Sequence, residues 1–324
     1  MIEQNKAEFG KSNITYWRDK GYTGKGVNIV VLDDNGLSYP RDNIIEPLIH
    51  LDRSIYDYNH KTRVTAMTRE AIPNANIYAF NWFADYKDEI IDWITEYRYE
   101  IDFINCSFNA TQFSYDKLMQ LKHLNIPIFV AVGNYGKPYS NLTGELPFVF
   151  GIGGWGEAQD RKAVMSNYGL NLDFMAYTGI YYHNSDNTKV VQFYGTSCSS
   201  PYAIACASYY AEWFRYQYNR PMSTQECFEF LLKNVDDKDE VGRDDNSGYG
   251  LIKLPNEIPK IKEEEIKMRF NDTANHWAEE EIEFVTDRDL MKGYLDGTFR
   301  PDRPLTRAEY ATMKARELGF IKKK

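Results

Sequence analysis

Ser197 is the residue with the most chemistry around it, in the segment FYGTSCSSPYAIACASYYAEWF, residues 193–214. Gly195 and Thr196 precede it, small residues follow, and apolar residues then recur at helical spacing. Pro201 is expected in the first helical turn, where a missing N–H is tolerated. A hydroxyl at a helix N-terminus lies beside unpaired backbone N–H groups and the positive end of the helix dipole, which together stabilise a developing oxyanion. The same position suits a serine that only caps the helix. His60, in NHKTRV (59–64), is likewise open to two readings. It is either a general base or a solvated histidine among charges.

These side chains need a scaffold, and the first 255 residues supply one. Short runs rich in Val, Ile and Phe alternate with longer amphipathic stretches, the pattern of a parallel sheet flanked by helices. Strands are expected over GVNIVVLDD (26–34), ANIYAFNWF (75–83), DFINCSF (102–108) and IPIFVAVGN (126–134), with a turn at Gly36 and a helix over EIIDWITEY (89–97). Polar residues at the carboxyl ends of such strands mark where an α/β sheet places its ligand site. After GYGLIKLP (248–255) the charged, Pro-containing stretch over 256–267 reads as a linker, and a small helical module is expected over 268–324.

The chain has 324 residues, 43% of them hydrophobic, which is ample for a packed core. A net charge of −9 argues against a nucleic-acid or anionic-membrane partner, since both require a basic face. The longest apolar runs, such as 126–132, fall far short of the roughly 18 residues of a membrane span. The opening MIEQNKAEFGKSN shows no secretory signal pattern, so a cytoplasmic origin is expected. Cys106, Cys198, Cys206 and Cys227 form no CxxC pair, which points to a reduced setting and away from zinc. Cys198 and Cys206 share one face of the expected helix and read as small core residues.

GTSCSSP resembles the nucleophile motif of the subtilisin-like serine peptidases, usually GTSMASP, and the other blocks of that family follow in order. GYTGKGVNIVVLDDNG resembles the segment leading into the family's aspartate, NHKTRVTAM its histidine block, INCSF its substrate-pocket strand and VAVGNYG its oxyanion block. SNYGLNLDFMAYTGIYY and GYGLIKL resemble later family segments, so the likeness covers about residues 12–255. The resemblance implies the three-layer α/β/α fold of that family and hydrolysis of protein or peptide substrates without a cofactor. It implies Ser197 as nucleophile, His60 as base, and Asn134 as oxyanion donor beside the Ser197 N–H. Taken alone, Asn134 reads as a turn residue before Tyr135-Gly136. Asp33 and Asp34 compete to orient the imidazole. Asp33 is preferred because the ungapped strand fixes it, and because kexin-like members with two aspartates use the first. Ser107, Phe108 and Gly133 are the implied substrate contacts.

The chain departs from the family pattern at several places. Lys61 replaces a glycine and Arg63 a second histidine, and these cations are expected to lower the His60 pKa, with Lys61 crowding the helix start. The short path from Met67 to AIPNANIYAF predicts that a calcium site found in many subtilisins is absent. FADYKD is short for a substrate-pairing edge, and Asn109 and Ala110 stand where pocket glycines are usual. No room for a secreted-type propeptide is expected before residue 12.

FNDTANHWAEEEIEFVTDRDLMKGYLDGTFRPDRPLTRAE, residues 270–309, resembles an S-layer homology module. Thr306 to Glu309 also reads as a helix capping box. The resemblance implies binding of a cell-wall polymer, with Arg307 near the groove. Such modules act in threes, so a single copy leads to the expectation of a trimer or of docking on a partner's module. Two other readings remain beside the peptidase: a non-catalytic recognition or structural domain, and a cell-wall anchor.

Overall fold

The computed structural model describes residues 2–34, 44–45, 60–82, 87–108, 116–138, 149–156, 158, 160–184, 188–218, 220–260, 270, 272–273, 276–288, 290–294 and 298–318. Asn35, Gly36, Asn59, Asn109, Ala110, residues 83–86 and linker residues 261–267 lie outside the described residues. The chain divides into two compact units, Met1–Ile258 and Pro259–Lys324.

In the first unit, α1 (Lys6–Lys11) and α2 (Ile14–Asp19) lead into β1 (Asn28–Asp33). The chain continues through β2 (Ile44–Ile45), α3 (His60–Ala71), β3 (Asn76–Asn81), α4 (Lys87–Glu96), β4 (Phe103–Cys106), β5 (Ile128–Ala131), β6 (Val149–Gly156) and β7 (Arg161–Lys162). β8 (Phe174–Thr178) and the hairpin β9 (Ile180–His183) to β10 (Val190–Phe193) precede the long helix α5 (Thr196–Tyr218). Helix α6 (Thr224–Lys233) and strands β11 (Val235–Asp236) and β12 (Leu251–Ile252) complete the unit.

The main sheet runs β11-β12-β8-β6-β5-β4-β1-β3-β2, with β7 pairing β6. Its neighbours are parallel except at β11–β12 and β6–β7. This is the mostly parallel α/β fold expected from the apolar runs. Alternation along β1 shows how the layers form. Ile29 and Val31 join the cluster that holds α3 and α5, while Val30 and Leu32 join the one that holds Ile90, Ile91 and Ile94 of α4. With both faces covered, the central strands are mostly apolar, with Asn105 of β4 the buried polar exception among β1, β4 and β5 away from a strand end.

All four cysteines are free and buried, in keeping with their reading as core residues. Burial pushes the Cys198 and Cys206 thiols up to about 12, so neither is a reactive thiolate. No helix among the described residues is long and apolar enough to cross a membrane.

The second unit carries α7 (Glu279–Asp287) and α8 (Arg307–Glu317). The Asp272 carboxylate accepts the N–H groups of Phe299 and Arg300, each at 2.7 Å, and so closes the loop ahead of α8. The expected capping box is present: Thr306 accepts from the Glu309 N–H, and Glu309 accepts from the Thr306 N–H.

Candidate active site

The adjacent parallel strands β1, β4 and β5 end side by side, and their carboxyl ends deliver Asp33, Ser107 and, one turn on, Asn134. Asp33 is 1% exposed. Its Oδ1 lies 2.7 Å from His60 Nδ1 and also accepts the Asp34 N–H at 2.7 Å. Nδ1 therefore carries the proton and Nε2 is left as the acceptor. Of the two aspartates, Asp33 meets the imidazole.

Asp34 does something different. His60 is the first residue of α3, and the first N–H groups of a helix have no partner within it. Asp34 supplies one: its Oδ2 accepts the His60 N–H at 3.3 Å and its Oδ1 the Lys61 N–H at 3.0 Å. Consecutive carboxylates thus divide the work, one on the ring and one on the helix start. Phe193 sets its ring edge-on to the imidazole, with centroids 5.8 Å apart.

The expectation that Lys61 and Arg63 lower the His60 pKa is reversed. Burial by itself disfavours the imidazolium, but the hydrogen bond and charge of Asp33, with the charge of Asp34, outweigh it. Arg63 opposes them with the smallest of these influences, and the pKa stands above its ordinary 6.5. Burial also holds the Asp33 carboxyl above its ordinary value, although His60 and the Asp34 N–H pull it down. Lys61 is 4% exposed, in the first turn of α3.

Ser197 is the second residue of α5, which packs against α3. Gly195 makes the entry turn at φ +106°, with Thr178 Oγ1 accepting its N–H at 2.8 Å and donating to its carbonyl at 3.0 Å. No hydrogen bond engages the Ser197 N–H among the described residues. Pro201 lies one turn deeper than expected, where its missing N–H would have bonded the Ser197 carbonyl. Ser107 Oγ fills that place, donating to Ser197 O at 3.1 Å. In return Ser197 Oγ donates to Ser107 O at 3.1 Å. The hydroxyl is therefore held by β4's end and not by His60. Behind it, Ser200 Oγ donates to Asn105 Oδ1 at 2.8 Å and Asn105 Nδ2 to Ser107 Oγ at 2.9 Å, all buried.

Asn134 is exposed, and its amide orientation is decided by two donors. Thr196 N–H and Oγ1 both reach Asn134 Oδ1, at 2.8 and 3.1 Å. Nδ2 is left as an outward donor near the α5 N-terminus. Gly133, a candidate substrate contact, has its own backbone engaged: its N–H bonds Thr196 Oγ1 at 3.1 Å and its carbonyl accepts the Asn167 N–H at 3.0 Å. Phe108 packs, half-buried, on the second core cluster. Donor atoms of Asp33, Asp34 and His60 lie within 4.8 Å of one another, close enough for one cation, but the hydrogen bonds above already occupy most of them.

Asn105, Thr178, Phe193 and Asn167 were not singled out from the sequence. Thr196 stands inside GTSCSSP and could have been. Asn105, Asn167 and Thr178 lie within INCSF and SNYGLNLDFMAYTGIYY, but all four act on residues distant in the chain, which the sequence does not show.

In the second unit a hollow of about 500 Å³ is lined by Lys292, Tyr294, Arg300, Arg303, Glu309 and Arg316 among others. Arg307, expected at a groove, is exposed on the first turn of α8 and is not part of that lining.

Residues 269–311 match the S-layer homology domain. Among curated proteins the chain is 48% identical over 54 residues to cell surface glycoprotein 1 of Acetivibrio thermocellus, covering 16% of this chain and 2% of that one. It is 54% identical over 39 residues to a cellulosome-anchoring protein of the same organism, covering 12% of this chain and 9% of that one. The chain thus spans only a small fraction of the length of these relatives. Among solved structures, a lanthipeptide protease superposes with a TM-score of 0.64 at 16% identity, covering 78% of this chain and 95% of that one. A cold-adapted subtilisin-like serine proteinase gives 0.58 at 17%, covering 73% and 91%. The prenylagaramide maturation protease PagA gives 0.58 at 16%, covering 74% and 96%. The large α/β fold is that of the subtilisin-like proteases. Within the same chain, residues 269–311 are an S-layer homology domain.

Proposed function

We propose that the subtilisin-like unit is a serine endopeptidase acting on protein or peptide substrates. The observation that carries this reading is the 2.7 Å contact between His60 Nδ1 and Asp33 Oδ1, which leaves Nε2 as the free acceptor on a helix packed against α5. In the mechanism, Ser197 Oγ swings from Ser107 O to His60 and attacks the scissile carbonyl carbon as its proton passes to Nε2. Asp33 stabilises the imidazolium, and Asn134 Nδ2 with the Ser197 N–H receives the oxyanion. His60 then protonates the leaving amine, and a water, deprotonated by the same nitrogen, releases the acyl group from Ser197. Ser107 and Phe108 line the substrate approach. Labelling with a fluorophosphonate, with Ser197→Ala as control, tests the reading; folded protein that stays unlabelled would sink it.

One observation favours a second reading. The Ser197 hydroxyl is bonded to Ser107 O rather than to His60, which suits a non-catalytic recognition domain. The same labelling experiment separates the two. The S-layer homology domain, which is similar to part of surface proteins, supports association with cell-wall polymer or with copies of itself, with Arg307 as a candidate contact. Light scattering before and after removal of residues 256–324 tests self-association, and a monomer in both cases would exclude it.

A further inference from the structure

Asn167 is 0% exposed, and its side chain makes every hydrogen bond toward one loop. That loop, residues 132–137, leaves β5 and carries Asn134. Its first N–H, of Val132, still bonds Ile152 O of β6 at 3.1 Å, but the loop then turns through Gly133 at φ +104° and leaves the β5–β6 ladder. Asn167 Nδ2 donates to Val132 O at 2.9 Å, and Oδ1 accepts the N–H of Tyr135 at 2.9 Å and of Lys137 at 3.4 Å. Its backbone N–H reaches Gly133 O at 3.0 Å. One amide side chain, with its own N–H, thus ties residues on both sides of Asn134 and leaves Asn134 facing Thr196 and the α5 N-terminus. A Cβ on Gly133 would lie 2.5 Å from Asn167 Nδ2, so the glycine admits the clamp.

We infer that Asn167 is a positioning residue for the oxyanion donor. It replaces the missing sheet partner with a side-chain amide and holds the Asn134 side chain where charge develops in the transition state. An oxyanion donor works because its orientation is fixed before the reaction, and small displacements of such a group are costly. This inference rests on the peptidase reading of the site.

The test is a double-mutant cycle on the full chain: wild type, N134A, N167A and N134A/N167A, with the fraction of competent enzyme fixed by fluorophosphonate titration and N167S run in parallel should N167A fold poorly. N167A should lower kcat about ten- to a hundred-fold at nearly unchanged KM. The double variant should be no slower than N134A within about twofold, because the clamp acts only through that donor. A purely structural role would lower thermal stability and the titratable fraction while leaving kcat per active site unchanged, and that result overturns the inference. Losses that multiply in the double variant, or in N134A/N167S, overturn it equally. Wild-type protein without turnover or Ser197-dependent labelling overturns the peptidase reading and this inference together; full turnover per site in N167A overturns this inference alone.

Discussion

Asp34 accepts the backbone N–H of His60 while its neighbour Asp33 meets the His60 ring at 2.7 Å, so consecutive carboxylates fix both the main chain and the side chain of one histidine. The arrangement makes the proposed base depend on a residue that never touches the imidazole's proton.

The first consequence is in the pH profile. Only neutral His60 can take a proton from Ser197, so kcat/KM falls as pH drops through its pKa. Because that pKa is raised above 6.5, the acid limb should lie above that value. Asp34→Asn should move the limb down and Arg63→Gln should move it up, since the first removes a raising charge and the second a lowering one. Initial rates across pH 5 to 9 would check this, and a wild-type limb at or below the ordinary histidine value would refute it. The same shift adds stability that is fully present below the unfolded-state pKa and lost as pH rises through the folded one.

Asp34 should also matter to stability. Asp34→Ala removes the carboxylate that accepts the His60 and Lys61 N–H groups at the start of α3 and should cost about 0.5–2 kcal/mol in urea unfolding, with Asp34→Asn losing less. Equal loss in both variants would mean that charge, not hydrogen bonding, is what α3 requires.

Asn134→Ala should lower kcat with little change in KM. In subtilisin, the namesake of this fold, removing such a donor costs about a hundred- to a thousand-fold in turnover. A change confined to KM would remove Asn134 from the oxyanion role.

Ser107→Ala should strand the Ser197 carbonyl and cost about 1–3 kcal/mol, because Pro201 offers no N–H to replace the lost donor. Pro201→Ala restores a helical donor, so the double variant should be less destabilised than the sum of the single changes. Additive losses in chemical denaturation would show that the two do not share that carbonyl.

The strands were legible in the sequence because apolar runs covered on both faces leave few alternatives, and each of the four expected strands is present, shorter than its run by one to three residues at each end. His60 and Ser197 could be proposed because motif residues surround each of them. The sign of the His60 shift could not be read correctly, since Lys61 and Arg63 are conspicuous in the chain while the decisive carboxylates act through a contact made only on folding. Asn167 was hidden for a related reason. Its partners lie some thirty residues earlier, and a buried asparagine in SNYG looks like any turn residue until the loop it serves is folded against it.

The N–H that Pro201 withholds from α5 has a consequence for engineering. The carbonyl of Ser197 is held by the Ser107 hydroxyl at the end of β4, and the Ser197 hydroxyl is held by the Ser107 carbonyl. If the proposed peptidase reading holds, grafting a foreign loop after β4 to retune selectivity should therefore shift the seat of Ser197 as well, and a library that varies Ser107 should lose reactivity along with any gain in preference. Diversity introduced beyond Phe108, with the Ser107 pair left intact, separates the two traits.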